Sequence, residues 1–451
     1  MAAPSSVNLS AFPAGFRWSA ATAAFQIEGA RTADGRGRSI WDDFVEMPGA
    51  VRDGSTAEPG PDSYHRYAED VDLLRTLGVD RYRFSISWTR VQPGGTGEGN
   101  AAGLDYYRRL ADALHAAGIT PFATLYHWDL PVELEAAGGW MNRDTAFRFA
   151  EYSAIVADAL GDVIGHWYTL NEPVSTSLQG YAIGELAPAR QELFASLPTV
   201  HHQLLAHGLA QRELRERGAT EVGIVNNHTL VLPAAQTEED HTAAAIYDLL
   251  HNRIFADPVL TGQYPPLEQF GLPPMPIEDG DLALISAPGD FYGINFYNPT
   301  TVAAAPAESP IPFDIVPTPG VPHTGFGDLW PIQPSALRDM LIGFRDTYDA
   351  LPPIIIGENG ASFPEPEHTD AAISDADRIG YLTGHIDAVG EAIAAGVDIR
   401  EYTVWSLLDN FEWAEGFTQR FGLVHVDMST SQRTPKASFD WFRALIAEAR
   451  A

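Results

Sequence analysis

Short apolar runs alternate along the chain with longer amphipathic stretches, from the first apolar segment almost to the last. Each run is rich in β-branched or aromatic residues and is about as long as a strand of a parallel sheet. In the second run, alternation throws Arg83 to one face. The pattern predicts eight strands: Phe16–Thr22, Arg81–Trp88, Ile119–Tyr126, His166–Leu170, Val222–Asn227, Phe291–Phe296, Ile354–Glu358 and Glu401–Leu408.

The amphipathic stretches between the strands predict helices, and some end at a glycine such as Gly78 or Gly118. No linker divides the chain, and the Pro-rich segment Ala303–Pro334 is interpreted as a long loop over one face. Eight strand–helix units predict an α/β fold, a (β/α)₈ TIM barrel forming one domain over residues 1–451. The predicted helices are Tyr64–Leu77, Asp105–Ala117, Asp144–Leu160, Val200–Arg217, Ser335–Tyr348 and Arg378–Ala395.

The run that ends in Glu358 is the most informative of the eight. It is bounded by Pro353 and by a predicted turn at Asn359-Gly360, and it delivers one carboxylate at its C-terminal end. A carboxylate at the exit of a buried strand is costly unless something there needs it. Glu358 is therefore either a functional group or a helix-capping or salt-bridged glutamate.

Polar and aromatic residues recur at the C-terminal ends of nearly all the predicted strands. Barrels of this type carry their chemistry on the loops at that end. One such residue would be unremarkable, but a residue at almost every strand end describes a site. The set is Gln26, Arg83, His127, Asn171, Glu172, Asn295, Tyr297, Glu358, Trp405 and Glu412.

Charge and composition narrow the kinds of partner. The 28 Lys and Arg against 60 Asp and Glu give a net charge of −32, which repels nucleic acid and anionic membranes and suits an uncharged or cationic ligand. Lys436 is the only lysine, and the absence of cysteine excludes disulfides and thiolate chemistry. Met1–Ala14 lacks the basic and apolar parts of a secretory signal, and no apolar run has membrane-spanning length. We therefore expect a cytoplasmic protein.

The carboxylates Glu172 and Glu358 would face each other across the mouth of the barrel. A metal site is the first alternative, but the HExxH spacing is absent around both, and a lone histidine such as His127 is more often a hydrogen-bonding residue. Gly-rich phosphate loops are also missing where a strand would need them. Neither a metal nor a cofactor is predicted. A carboxylate pair flanked by aromatic, amide and imidazole groups suits a sugar.

At this point the sequence resembles the retaining β-glycosidases of glycoside hydrolase family 1, the β-glucosidase family. The resemblance covers nearly the whole chain, and its motifs occur in order. Ser19 departs from it, because the family usually has glycine there, which puts only local packing in doubt. The motifs are Ala21–Gly29, Tyr82–Trp88, Tyr126–Pro131, Thr169–Pro173, Gly293–Tyr297, Ile356–Gly360 and Trp405–Trp413.

The resemblance implies a role for each site residue. Glu172 is similar to the acid/base and Glu358 to the nucleophile, while Asn171 would hold the sugar 2-hydroxyl. Arg83 and Tyr297 would orient Glu358 and keep it ionised, and Asn295 would lie near the acid/base. The remaining residues, implied to bind the sugar or line the leaving-group side, are Gln26, His127, Trp128, Trp330, Trp405, Glu412 and Trp413.

The resemblance also implies the substrates: small β-glycosides such as cellobiose or aryl and alkyl glucosides, with a part in carbohydrate metabolism and cellulose degradation. One alternative is a sugar-binding relative that has lost catalysis, although both carboxylates are present. The other is a 6-phospho-β-glycosidase, a branch that carries a small polar residue where this chain has Glu412. Preference among gluco, galacto and fuco glycosides, the natural aglycone and the oligomeric state stay open.

Overall fold

The computed structural model describes residues 7–366 and 373–451. The first six positions of the N-terminal segment Met1–Ala14 lie outside the described residues. The strands of the described part are β1 Arg17–Ala21, β2 Arg81–Ser85, β3 Thr120–Tyr126, β4 His166–Asn171, β5 Glu221–Asn227, β6 Val231–Pro233, β7 Phe291–Asn295, β8 Thr300–Ala304, β9 Phe313–Val316, β10 Ile354–Asn359, β11 Ile399–Trp405, β12 Val424–Asp427 and β13 Gln432–Pro435.

Eight of these strands close into a parallel barrel. The order around the barrel is β1-β2-β3-β4-β5-β7-β10-β11, and β11 pairs with β1 so that Arg17 lies opposite Glu401. Two small sheets lie outside the barrel, β6-β8-β9 and the hairpin β12-β13. The predicted TIM barrel is confirmed.

Helices cover the outside of the barrel because their apolar faces need a partner. Helix Asp144–Leu160, for example, buries Phe149, Tyr152 and Val156, and Tyr152 stacks on Trp88 with ring centroids 5.0 Å apart. The longer helices are Ser63–Leu77, Ala101–Ala116, Asp144–Leu160, Pro198–Glu216, Glu238–Asp248, Pro334–Thr347, Ala376–Ala394 and Ala437–Ala449. The shorter ones are Ala24–Ile27, Ile40–Phe44, Trp88–Val91, Val132–Ala136, Ile254–Thr261 and Asp281–Ile285. Short 3₁₀ helices lie at Leu9–Ala11, Ala33–Gly35, Pro93–Gly95, Gly139–Met141, Leu193–Ser196, Leu267–Phe270 and Trp413–Glu415. Segments of π-helix lie at Ser175–Ala182 and Leu249–Arg253.

Three sequence predictions about local structure are corrected. The second strand ends at Ser85, because Ser87 starts a helical turn whose carbonyl accepts from the amides of Arg90 and Val91. The predicted turn at Asn359-Gly360 is partly strand, since β10 runs through Asn359. The Pro-rich loop Ala303–Pro334 contains β9 and the end of β8, which pair antiparallel beneath helix Glu238–Asp248.

The barrel interior is layered. At the N-terminal ends of the strands, the Arg81 guanidinium contacts Glu401 at 3.1 Å and Glu221 at 2.9 Å. Ser19 donates its hydroxyl to the same Glu401, 2.6 Å away, so the serine that departs from the family pattern has a partner here. An apolar plug lies above these charges, formed by Phe122, Tyr168, Val225, Phe291 and Ile355. The plug separates the charges below from the polar residues at the C-terminal end.

None of the helices in the part of the chain that the structure describes is long and apolar enough to cross a membrane.

We expect Arg81→Met to lower the free energy of unfolding by about 3 kcal/mol, because it leaves the fully buried Glu401 with less compensating charge. Urea unfolding at pH 7 measures the change. The matched control is Arg400→Met, which breaks an exposed pair with Asp398 and should change stability by less than about 1 kcal/mol. Equal effects of the two substitutions would contradict the buried ion pair as the cause.

Candidate active site

Glu358 reaches the C-terminal end of the barrel on β10, and the glycine before it makes this possible. A Cβ at Gly357 would lie 2.7 Å from Val225 Cγ2 and 2.8 Å from Asn295 Oδ1, closer than side chains normally approach. Gly360 is needed for the same reason, since a Cβ there would overlap the carbonyl of Trp405. The two glycines let β10 lie against its neighbours where Glu358 leaves the strand.

Arg83 lies at the centre of the site and is 1% exposed. Its Nη1 donates to Glu358 Oε1 at 2.6 Å and to the Gly357 carbonyl at 2.9 Å. Its Nη2 donates to Asn171 Oδ1 at 2.6 Å, and its Nε to Thr124 at 3.1 Å. The guanidinium also lies over the Tyr168 ring of the apolar plug, 4.9 Å from the centroid. One buried cation on β2 therefore fixes the orientation of residues from three other strands, β3, β4 and β10.

The hydrogen bonds of Asn171 determine the tautomer of His127. Because Asn171 Oδ1 accepts from Arg83 and, at 3.0 Å, from Asn295, its Nδ2 is the donor that faces His127 Nε2 at 3.1 Å. Nε2 therefore accepts, and the ring proton lies on Nδ1, which has no partner. Burial and the nearby Arg83 hold the pKa of His127 well below its usual value, so the imidazole is neutral.

Glu172 is held by three neutral donors. Asn295 and Asn227 donate to its Oε1 at 2.7 and 3.2 Å, and Ser175 donates to its Oε2 at 2.9 Å. Burial, followed by the charge of Glu358, raises the pKa of Glu172 to about 7, and the three donors only partly oppose this rise. Glu172 therefore keeps a proton up to near neutral pH.

Glu358 lies in a different electrostatic setting. Besides the Arg83 guanidinium on Oε1, it accepts a hydrogen bond from Tyr297, whose hydroxyl lies 2.5 Å from Oε2. Burial and the neighbouring Glu358 raise the pKa of Tyr297 well above its usual value, so the phenol stays a donor. A carboxylate that accepts from a guanidinium and a phenol is suited to carry charge.

Glu412 is a third carboxylate at the same end of the barrel. Burial, followed by the charges of Glu358 and Glu172, raises the pKa of Glu412 to about 8. Gln26 lies beside it, held by its amide to the Phe411 carbonyl at 2.8 Å. The buried atoms Glu412 Oε2, Gln26 Oε1 and His127 Nδ1 all lack a hydrogen-bond partner. Unpaired buried polar atoms of both acceptor and donor type indicate a ligand rich in hydroxyl groups.

Aromatic rings surround these polar atoms. His127 stacks against Trp405 and Trp413 with centroids 5.9 Å apart in both cases, and Trp128 lies 4.6 Å from Trp413. Trp128 also donates its indole N–H to the Asn171 carbonyl at 2.9 Å. Trp330 lies farther out and half-buried, 5.6 Å from the ring of Tyr297. The structure thus brings together all thirteen site residues named from the sequence, with Trp330 at the edge.

Three of these residues adopt left-handed backbone conformations that non-glycine residues rarely hold. The φ values are 80° at Trp128, 45° at Glu172 and 49° at Trp413. Trp128 and Glu172 lie just after the ends of β3 and β4, whereas Trp413 lies farther along the loop after β11. Because such conformations persist only where the surroundings hold them, they mark the loops where precise side-chain direction matters.

Sequence reasoning missed two residues that contact Glu172. Asn227 is the last residue of β5, so the rule that identified the other strand-end residues also applies to it. Ser175 carries no such signal, because it contacts Glu172 only through the turn that follows Pro173. Thr124 and Tyr168, which contact Arg83, lie within strands and give no signal in the sequence either.

The arrangement can perform acid–base and nucleophilic chemistry. One carboxyl group holds a proton and another is paired with a guanidinium, and the two are connected through Arg83, Asn171 and Asn295. Groups whose surroundings separate their proton affinities are typical of acid and nucleophile pairs.

Known proteins are similar to this chain in sequence and in fold. The model of the family described as Glycosyl hydrolase family 1 matches residues 8–451. Beta-glucosidase A of Thermotoga maritima is 41% identical over 444 residues, 98% of each chain. A bifunctional beta-D-glucosidase/beta-D-fucosidase of Bifidobacterium breve is 41% identical over 97% of this chain and 98% of its own. The crystal structure of a psychrophilic beta-glucosidase from Micrococcus antarcticus is 46% identical, with a TM-score of 0.93 and 98% of each chain covered.

We expect Glu172→Gln to stabilise the protein by about 3 kcal/mol at pH 8 and by much less at pH 5. The pKa of Glu172 is raised from 4.5 to about 7 in the folded protein. Below both values neither state is ionised. As the pH rises through this window the unfolded chain releases its proton first, so ionisable Glu172 lowers the free energy of unfolding, whereas glutamine does not. Urea unfolding at the two pH values measures this.

The control for this effect is Glu151→Gln, which changes an exposed glutamate on helix Asp144–Leu160. It should show no comparable pH-dependent gain. A Glu172→Gln variant whose advantage is the same at pH 5 and pH 8 would contradict the raised pKa.

Proposed function

The chain belongs to glycosyl hydrolase family 1, and we propose that it is a retaining β-glucosidase that uses Glu358 as nucleophile and Glu172 as acid/base. The observation that carries this proposal is the pair of unlike carboxyl groups joined through Arg83. Glu358 accepts from a guanidinium and a phenol, whereas Glu172 accepts only from neutral groups and has a pKa raised to about 7. Retention needs two carboxyl groups about 5–5.5 Å apart, one charged and one protonated.

In the first half of the reaction, a Glu358 oxygen attacks the anomeric carbon and forms the glycosyl–enzyme ester. The bond to the leaving oxygen breaks as Glu172 transfers its proton to that oxygen. Once the aglycone departs, Glu172 is a carboxylate and takes a proton from water. The same water attacks the anomeric carbon as this proton leaves it, which breaks the ester bond to Glu358 and regenerates the protonated Glu172.

Positioning of the sugar falls to the residues with unpaired polar atoms. The Nδ1–H of His127 donates to a sugar hydroxyl, while Gln26 Oε1 and Glu412 Oε2 accept from others. Trp405 lies beneath the ring, Trp413 and Trp128 complete the aromatic wall, and Asn171 reaches the 2-hydroxyl next to Glu358. Trp330 borders the leaving group. The eight strands β1, β2, β3, β4, β5, β7, β10 and β11 close into one barrel around these residues, which supports a single catalytic domain.

Glu412 favours an unphosphorylated sugar over a 6-phosphorylated one. The Glu412 carboxylate, which forms as the pH rises toward its pKa of about 8, would cost several kcal/mol within hydrogen-bonding range of a phosphate in a site withdrawn from water. The substrates we propose are therefore neutral β-glycosides, such as cellobiose and aryl or alkyl glucosides. A role in cellulose degradation and a cytoplasmic location stay predictions from the sequence.

The direct test is turnover of an aryl β-glucoside, its 6-phosphate and cellobiose by the purified parent protein. We expect hydrolysis of the glucoside and of cellobiose, with little or none of the phosphorylated substrate. A parent that turns over no β-glucoside, or that prefers the 6-phosphate, would overturn the proposal.

Glu358→Gly should lower kcat for an aryl β-glucoside by a factor of at least about 10⁴, because it removes the nucleophile. Added azide should then restore part of the turnover, since it can enter the space left by the side chain and attack the anomeric carbon. The product should be the α-glucosyl azide, identified by NMR of its anomeric proton. Unchanged activity, or a β-configured azide, would contradict the role of Glu358.

Glu172→Gln should slow substrates with poor leaving groups far more than activated aryl glucosides, because it removes the proton that the leaving oxygen receives. Comparing kcat/KM for a nitrophenyl and an alkyl β-glucoside measures this difference. Ser175→Ala is the matched control, since it removes one hydrogen bond to Glu172 and leaves the carboxyl group in place. Equal losses for both substrates in Glu172→Gln would argue against its acid role.

A further inference from the structure

A second group of buried charges lies behind the loop that carries Glu412 and Trp413. We call it the Lys436 cluster, and all its side chains are at most a few per cent exposed. Its members come from five segments that are distant in sequence: the loop after β10, helix Ala376–Ala394, the loop after β11, β12, and the residue before helix Ala437–Ala449. They are Glu365, Arg378, Asp409, His425 and Lys436.

Lys436, the only lysine of this acidic chain, is buried in this cluster and does not lie at the surface. Lys436 is 1% exposed, and its Nζ contacts Asp409 Oδ1 at 2.8 Å and Glu365 Oε1 at 2.5 Å. A buried ammonium is costly unless it is paired, and here both partners are themselves buried carboxylates. The lysine thus holds together two loops that would otherwise repel each other.

Asp409 connects the cluster to the sugar-binding loop. It lies three residues before Glu412, and its Oδ1 also accepts from the amide of Gly422 at 2.9 Å. The next residue, Asn410, accepts from Gln26 at 3.1 Å, and the carbonyl of Phe411 accepts from the same amide at 2.8 Å. Each of the three residues before Glu412, from Asp409 to Phe411, is therefore held by a hydrogen bond or an ion pair.

The other side of the cluster reaches the loop that follows Glu358. Glu365 accepts from Arg378 Nη2 at 2.7 Å, and Arg378 Nη1 donates to the carbonyl of Ala361, three residues after Glu358. Arg378 also donates to the Arg420 carbonyl at 2.9 Å. One network thus contacts both the loop that follows Glu358 and the loop that carries Glu412.

The cluster resembles a metal site at first sight. His425 Nδ1 lies 3.5 Å from Asp409 Oδ2 and 3.7 Å from Glu365 Oε2, close enough for the three atoms to share an ion. However, the carboxylates of Glu365, Asp409 and Asp375 are already balanced by Lys436, Arg378 and Arg420. Asp409 and Glu365 raise the pKa of His425 to about 9, so the imidazole is itself a cation that occupies the position between them. A divalent ion would therefore add positive charge to a cluster whose carboxylates are already balanced by cations.

We propose that Lys436 is a positioning residue for sugar binding, which acts through Asp409 to hold Glu412 and Trp413 in place. This inference rests on the proposed function. Substitution of Lys436 leaves Asp409 and Glu365 less compensated, so the loop after β11 moves and Glu412 no longer meets the sugar hydroxyls. Lys436 touches neither the sugar nor the reacting atoms, and its effect on the reaction passes through Glu412.

The test is a double-mutant cycle on kcat/KM for an aryl β-glucoside, with Lys436→Met, Glu412→Gln and the double variant. We expect Lys436→Met to lower kcat/KM by about 10- to 100-fold in the parent, but by less than about threefold when Glu412 is already changed. Most of the loss should appear in KM. Arg81→Met, which removes a buried cation at the opposite end of the barrel, is the control and should lower kcat/KM by the same factor with and without Glu412.

A milder variant, Glu365→Gln, covers the case in which Lys436→Met does not fold, because it keeps the shape and removes only one charge. It should show a smaller loss of kcat/KM that likewise shrinks in the Glu412→Gln background. Losses that multiply in both cycles would overturn the inference, and an inactive parent would overturn the proposed function instead. One equivalent of zinc bound by the parent and lost in His425→Ala, measured by calorimetry, would also overturn it, since the cluster would then be a metal site.

Discussion

The ion pair between Arg83 and Glu358 is the constraint on which the rest of the site depends. A guanidinium that is 1% exposed must have its charge balanced and its donors satisfied, and Glu358, Gly357, Asn171 and Thr124 do this from β10, β4 and β3. Once Arg83 is held, Asn171 can turn its amide only one way. That orientation fixes the His127 tautomer and leaves its Nδ1–H without a hydrogen-bond partner in the protein.

The same constraint separates the two carboxyl groups chemically. Arg83 lies against Glu358 and not against Glu172, whose donors are amides and a hydroxyl. Burial, followed by the charge of Glu358, raises the pKa of Glu172 to about 7. Burial and the neighbouring carboxylates likewise raise the pKa of Glu412 to about 8. The site therefore concentrates carboxyl groups that water would ionise freely, which lowers stability in exchange for proton-transfer ability.

The distribution of cations follows from this concentration of acids. The chain has 28 Lys and Arg for 60 Asp and Glu, yet several of these cations lie inside the molecule. Arg81 balances Glu401 at one end of the barrel, Arg83 balances Glu358 at the other, and Lys436 with Arg378 balances the charges behind the site. Because each of these cations is buried with an acid that it balances, the excess of acidic groups stays on the rest of the molecule, which suits a neutral ligand.

The sequence by itself determined the barrel and most of the residues at its mouth, because both follow from local patterns. Short β-branched and aromatic runs that alternate with amphipathic stretches predict strands, and parallel strands bring their C-terminal residues to one end, so Gln26, Glu172 and Glu358 could be placed together from the sequence. Only the tertiary structure decided how these groups contact one another and which of them share hydrogen bonds. The pKa of Glu172, the His127 tautomer and the contact of Ser175 with Glu172 depend on distances between segments far apart in the chain. The sequence also did not predict that β9, in the segment Ala303–Pro334, pairs with β8, nor which residues contact Lys436. Non-local pairing and burial leave no periodic signal in the sequence.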